Sequence, residues 1–210
     1  MNRRTIPRTA LVLVLICTAQ WWAIGRTIVL DSSDWDQAAF IMADEPLSSW
    51  GSINHFRMSP RQALLIRYSL DKIPSGMHVT NAEWIIPIYE GIDVRFYIWR
   101  ILQDWGPGVC WQYRSTLPEK LPWAEAGARA LGTDRFVRPT ESCRAQGTDR
   151  SQYGSDAGLV VNVTKDVALW HTGAAQNCGW IITAEDHISV HSPFGRGTDN
   201  WKLRITFEPE

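Results

Sequence analysis

The sequence predicts an all-β fold, a two-sheet β-sandwich of the jelly-roll kind carrying one short helix. Three observations lead there. Short segments between residues 26 and 207 alternate apolar and polar side chains with period two, Gly and Pro fall between them as turn punctuation, and no long stretch sustains a 3.6-residue apolar period.

Residues 1–25 read as a secretory signal peptide: basic Arg3, Arg4 and Arg8, an apolar run from Ala10 to Ala19, then small residues. Cleavage fits after Ala19, with Cys17 two residues before it, and equally after Gly25, with Ala23 before it. Trp21, Trp22 and Ile24 would lengthen the run toward an anchor, yet without them it is nearer ten residues than the roughly 20 of a spanning helix. The expectation is export, to the extracellular space or the cell surface, with no membrane attachment after cleavage. Residues 26–210, about 185 in number, suffice for one domain with a real core and are too few for two.

Arg26–Leu30 reads as a first strand, and Asp31 to Ser52 as a polar segment ending in a Trp50-Gly51 turn. Leu64, Ile66, Tyr68 and Leu70 then alternate with Leu65, Arg67 and Ser69, before the turn Ile73-Pro74-Ser75-Gly76. In the next strand Thr80, Ala82, Trp84, Ile86 and Ile88 alternate with Asn81, Glu83 and Ile85, and Pro87 places it at a sheet edge or on a bulge. From Ile92 to Leu102, Val94, Phe96 and Ile98 point inward and Arg95, Tyr97 and Trp99 outward.

Residues 103–157 are too many for a plain loop, and Trp105, Trp111 and Trp123 within them are expected to cover the end of the sandwich. Leu159, Val161 and Val163 form one face of a further strand. Thr164 reads as the N-cap of a short helix with Val167 and Trp170 on one face, and Gly173 as its stop. Asn177 and Gly179 mark a turn before Trp180, Ile181 and Ile182. The last strand points Trp201, Leu203, Ile205 and Phe207 inward.

Charge and cysteine content narrow the function classes. The net charge is −1 and no basic run outside the signal exceeds two residues, which argues against a nucleic-acid partner. If Cys17 leaves with the signal, Cys110, Cys143 and Cys178 remain, enough for one disulfide and one thiol; Cys110–Cys143 and Cys143–Cys178 both stay open. Trp is abundant, 12 of 210 residues, which suits an all-β core and a sugar-binding surface alike.

Over residues 48–207 the motifs follow an order. Ser49-Trp50-Gly51 comes first, then Leu65-Ile66-Arg67-Tyr68-Ser69-Leu70 and the Ile-Pro-x-Gly turn. The Ala82 strand, Asp104-Trp105 and Cys110-Trp111 come next. Asn162-Val163-Thr164 with Val167 and Trp170, and then Asn177-x-Gly179, complete the set. This ordered set resembles the DNRLRE domain family, a jelly-roll module of secreted and surface proteins, some of which act as carbohydrate-binding modules. The resemblance implies a non-catalytic surface or polysaccharide-binding module. Ser69 and Asn162 stand where the family carries acidic residues, so structural calcium is not supported at those positions and no cofactor is expected.

The residues themselves offer a candidate surface. Arg95, Tyr97 and Trp99 put a cation and two aromatic rings on one strand face, suited to a polysaccharide partner, acidic or neutral. Arg67, Lys202 and Arg204 extend that row if their strands are neighbours. The competing expectation is a solvated face, with Trp99 packed under the middle segment.

No matched catalytic set is visible. His187 and His191 would lie about 14 Å apart along one strand. Asp34 with Asp36, and Asp44 with Glu45, lack calcium-loop spacing, and no Gly-x-Ser-x-Gly elbow occurs. The expectation is a non-enzymatic module that binds polysaccharide or serves as a structural envelope or matrix protein. The alternative is a small secreted polysaccharide lyase or glycoside hydrolase.

Overall fold

The computed structural model describes residues 25–50, 55–86, 88–90, 94–145, 159–191 and 201–210. The expected signal peptide, apart from Gly25, lies outside them, as does Pro87. Among the described residues no helix is long and apolar enough to cross a membrane.

The chain is an all-β, two-sheet sandwich, with one α-helix among the described residues. Its four-stranded sheet runs β1 (Arg26–Leu30), β14 (Lys202–Pro209), β5 (Met77–Ile86), β11 (Leu159–Asn162). The five-stranded sheet runs β10 (Glu141–Ala145), β7 (Val94–Arg100), β12 (Trp180–Ala184), β4 (Gln62–Tyr68), β2 (Trp35–Met42). Every pairing in both is antiparallel. A smaller sheet joins β3 (His55–Met58), β13 (Ile188–His191) and β6 (Ile88–Glu90), and a two-stranded ribbon joins β8 (Tyr113–Ser115) to β9 (Leu121–Pro122).

The period-two residues meet between the two main sheets as the alternation predicts. Ala82, Trp84, Leu203, Ile205 and Phe207 pack from one side, and Leu64, Ile66, Tyr68, Phe96, Ile98 and Trp180 from the other, all buried. Much of the tryptophan count belongs here. Trp84 stacks on Trp180 with ring centroids 4.9 Å apart, and Trp201 and Trp170 lie 5.5 Å from Trp84 and 4.5 Å from Trp180 respectively. The buried Tyr68 hydroxyl accepts from Trp84 Nε1 at 3.2 Å and donates to the Trp201 carbonyl at 3.3 Å. Burial pushes its pKa well above the ordinary tyrosine value.

The structure corrects several expectations. The segment expected to be polar holds β2, an outer strand of the five-stranded sheet. Of the two alternatives raised by Pro87, the edge position is excluded, because β5 lies between β14 and β11. A register shift in β5 does occur, opposite Thr206 and Phe207, away from Pro87, which is outside the described residues.

Thr164 is the first residue of α1 (Thr164–His171), whose N-cap, Val163, offers no side-chain bond. The Thr164 hydroxyl instead accepts the Ala82 backbone N–H at 2.8 Å, tying the helix start to β5. Asn162 Oδ1 takes the Thr164 N–H at 3.1 Å. The glycines behave as expected. Gly173 ends the helix at φ +71°, and Gly179 has φ +74°, where a Cβ would lie 2.3 Å from the Ile66 carbonyl oxygen.

The largest correction concerns the middle segment, whose part from Trp105 to Arg135 covers the outer face of the five-stranded sheet instead of the end of the sandwich. Ala39, Ile41, Ala63, Leu65 and Ile181 on that face form a second core with Trp105, Val109, Cys110, Trp123 and Ala128. Trp105 Nε1 donates to the Cys178 carbonyl at 2.8 Å and Trp123 Nε1 to the Cys110 carbonyl at 3.0 Å. The five-stranded sheet is thus apolar on both faces.

The same layering corrects the disulfide expectation. Cys110, Cys143 and Cys178 are free thiols. Cys110 and Cys178 sit in the second core, whereas Cys143 packs toward the inter-sheet core. The five-stranded sheet therefore separates Cys143 from both partners that the open pairings require.

Candidate functional site

β7 alternates strictly, so Phe96 and Ile98 enter the core while Arg95, Tyr97 and Trp99 face outward toward the covering layer. Tyr97 and Trp99 stand opposite Thr183 and Ile181 of β12. Both rings are half-buried, 6.0 Å apart between centroids and tilted by 42°. Trp99 Nε1 donates to Thr183 Oγ1 at 3.1 Å, which sets the indole in place.

Together with Trp111, Arg129, Arg135 and Glu185, these two rings line a cleft of about 270 Å3 between the sheet and the covering layer. The cleft follows from how the 124–135 loop is folded. Asp134 is fully buried, and its carboxylate accepts the backbone N–H groups of Ala124, Glu125 and Ala130 at 2.9, 2.9 and 3.2 Å. One side chain thereby replaces the backbone partners that an irregular loop lacks. Gly127 of this loop has φ +81° and lies flat against the Trp111 indole, where a Cβ would sit 2.7 Å from ring carbons. The next segment bridges to Ile101 through Arg135 and carries the Arg135 guanidinium over the Trp99 ring, 4.1 Å from its centroid.

The charged groups of the cleft differ in how they are satisfied. Arg129 pairs with Glu125 at 3.7 Å. The Tyr97 hydroxyl donates to the Glu185 carboxylate at 2.5 Å, and that bond raises the Tyr97 pKa. The Tyr97 phenol is thereby held in its protonated form. Arg135 is different. Its buried Nε has no acceptor, no hydrogen bond or ion pair to its guanidinium occurs among the described residues, and burial lowers its pKa.

The structure brings together only part of the residue set expected from sequence. Tyr97 and Trp99 are in the cleft. Arg95 is exposed one step beyond Tyr97, opposite Arg144 of β10, and is not part of the lining.

Arg67 lies on β4, with β12 between it and β7. Its guanidinium is held by Asp104 at 2.6 Å and Asp36 at 3.6 Å and lies over the Trp105 ring, so it fastens the covering layer to the sheet. Arg204 belongs to the four-stranded sheet and pairs with Glu83 at 3.3 Å, and Lys202 is on the same strand. The row of six therefore does not exist as one surface, since β14 and β7 lie in different sheets.

Trp111, Gly127, Arg129, Arg135 and Glu185 were not singled out from sequence as ligand-binding residues. Four of them come from the irregular covering segment, which has no period to show the direction of a side chain.

Three of the four carboxylates considered for calcium are engaged by cations: Asp34 with Lys72 at 2.6 Å, Asp36 with Arg67 at 3.6 Å, and Asp44 with Arg61 at 2.6 Å. Among the described residues no three His, Cys, Asp or Glu side chains gather into a metal site. A larger cavity of about 560 Å3 opens between the Leu70–Gly76 turn, the end of α1 and Glu210. Of the rings it meets, Trp170 is itself core-packed, so it offers no pair of open aromatic faces. No protein-family model matches the chain, and no curated protein does.

Proposed function

We propose that this protein is a secreted or cell-surface, non-catalytic β-sandwich module that binds polysaccharide in the cleft beneath its covering layer. One observation carries the reading. Tyr97, Trp99 and Trp111, three half-buried rings from two separate parts of the chain, line one cleft beside hydrogen-bonding side chains. Sugar rings present C–H faces that pack on aromatic planes and hydroxyls that need donors and acceptors, and such a cleft offers both.

The jelly-roll topology belongs to the same proposal. It is supported by the strand orders β1-β14-β5-β11 and β10-β7-β12-β4, in which consecutive strands repeatedly cross between sheets. A purely structural role in an envelope or matrix would leave the cleft without a ligand.

The test is an array of neutral and acidic polysaccharides, scored for retention and for released product. Retention that is lost in Trp111→Ala, with no product formed, supports the proposal. No retention on any glycan removes it in favour of the structural role, and product release replaces it with a lyase or hydrolase.

A further inference from the structure

We infer that the cleft is selective for an acidic sugar unit, whose carboxylate is received by Arg135 while its ring packs on Trp111. This rests on the polysaccharide reading above and adds to it the charge of the ligand and the residue that recognises it.

The charges around the cleft are unequally satisfied. Of the charged side chains lining the cleft, Arg129 has Glu125 and Glu185 has the Tyr97 hydroxyl. Asp134, next in the chain to Arg135, spends its carboxylate on three backbone N–H groups. Arg135 has no such partner among the described residues. A guanidinium drawn partly out of water, with Glu125 and Asp134 near but neither bonded to it among the described residues, gains most from a ligand that brings a directly bonded anion. Its planar fork matches the two oxygens of a carboxylate.

Arg135 is also preorganised. Arg135 is held from both sides, by backbone bridges to Ile101 and Leu131 and by the Trp99 ring beneath its guanidinium. It therefore loses little side-chain freedom on binding, which is the usual charge against a long flexible cation.

The lining is polar in a definite direction. The Tyr97–Glu185 pair forms a carboxylate-bearing part of the lining. Glu185 accepts from sugar hydroxyls and repels a carboxylate, so a hexuronate is oriented with its acid toward Arg135. The volume, about 270 Å3, lies below the ~300–1,000 Å3 of sites that enclose a drug-sized ligand, so it fits one unit of a chain.

The experiment is calorimetric titration of the full chain with polygalacturonate and with the same polymer after carboxyl reduction. The acidic polymer should bind about tenfold or more tightly, with an affinity that falls as salt rises, while the neutral one shows no such dependence. Arg135→Gln should bring the acidic polymer down to the neutral level and leave neutral binding in place. Arg135→Lys, which keeps the charge, should retain part of the preference and guards against a variant that misfolds.

Equal binding of both polymers by the parent chain, or equal loss of both in Arg135→Gln with the fold intact by circular dichroism, would overturn the inference and leave the polysaccharide reading standing. Binding of neither polymer would overturn the inference together with the reading it rests on.

Discussion

Replacing Gly127 with Ala should damage the cleft while sparing the two-sheet core. Gly127 has φ +81°, a left-handed conformation that costs an L-residue roughly 1–2 kcal/mol. Its new Cβ would also meet Trp111 carbons at 2.7 Å, so the indole must move, adding ~1–3 kcal/mol of overpacking. The sum, about 2–5 kcal/mol at ~2–4 °C per kcal/mol, corresponds to a fall in Tm of about 4–20 °C.

Gly132→Ala separates the two contributions. Gly132 has φ +78°, but its nearest neighbour, a Val137 methyl, is 3.4 Å from the added Cβ. That variant should lose only the conformational part and keep its glycan affinity. In Gly127→Ala the displaced Trp111 should weaken polygalacturonate binding about fivefold or more, the worth of one stacking contact near 1 kcal/mol. Thermal unfolding and calorimetry on both variants decide the matter. Equal melting temperatures and equal affinities in the two would refute the close contact and the role given to Trp111.

Other expectations follow from the packing. Phe96→Ala, emptying a fully buried site between the sheets, should cost about 3–5 kcal/mol in urea unfolding. Thr164→Ala leaves the Ala82 N–H without its acceptor and should cost ~1–3 kcal/mol, more than loss of an exposed hydroxyl. Burial raises the Cys143 and Cys178 pKa values to about 11, from 9.0 for an unburied thiol, so the unfolded chain ionises first. The folded state then binds more protons above pH 9, and stability should fall as pH rises from 9 toward 11, measurable as a declining urea midpoint. With three free thiols, a reducing agent should leave Tm unchanged, whereas a drop would indicate a disulfide.

The parts of the fold legible in the sequence are those whose strands have one clear inner face. β7 and β14 alternate cleanly, and Phe96, Ile98, Leu203 and Ile205 are buried as their period requires. β2 was hidden for the opposite reason. Its C-terminal half is buried on both faces, Phe40 in the inter-sheet core and Ala39 and Ile41 in the second, so no alternation marks it, and Asp36 and Gln37 make its start look like loop.

The candidate site was half legible. The period of β7 is enough to turn Tyr97 and Trp99 outward, but nothing local in residues 103–140 tells which face of which sheet they cover. Arg135 reaches Trp99 only through the fold-back held by Asp134. Outward direction along a strand does not reveal which sheet the strand joins, which misplaced Arg204. Nor does it reveal how far apart two strands of one sheet lie, which misplaced Arg67, one strand removed from β7 and held by Asp104 and Asp36.

The most direct measurement is an NMR titration of the tryptophan indole N–H signals with a short galacturonate oligomer. The expected result is shifts at Trp99 and Trp111, with Trp84, Trp180 and Trp201, buried between the sheets, unmoved. Saturating oligomer that leaves Trp99 and Trp111 in place, or that shifts tryptophans elsewhere instead, would contradict the cleft as the binding site.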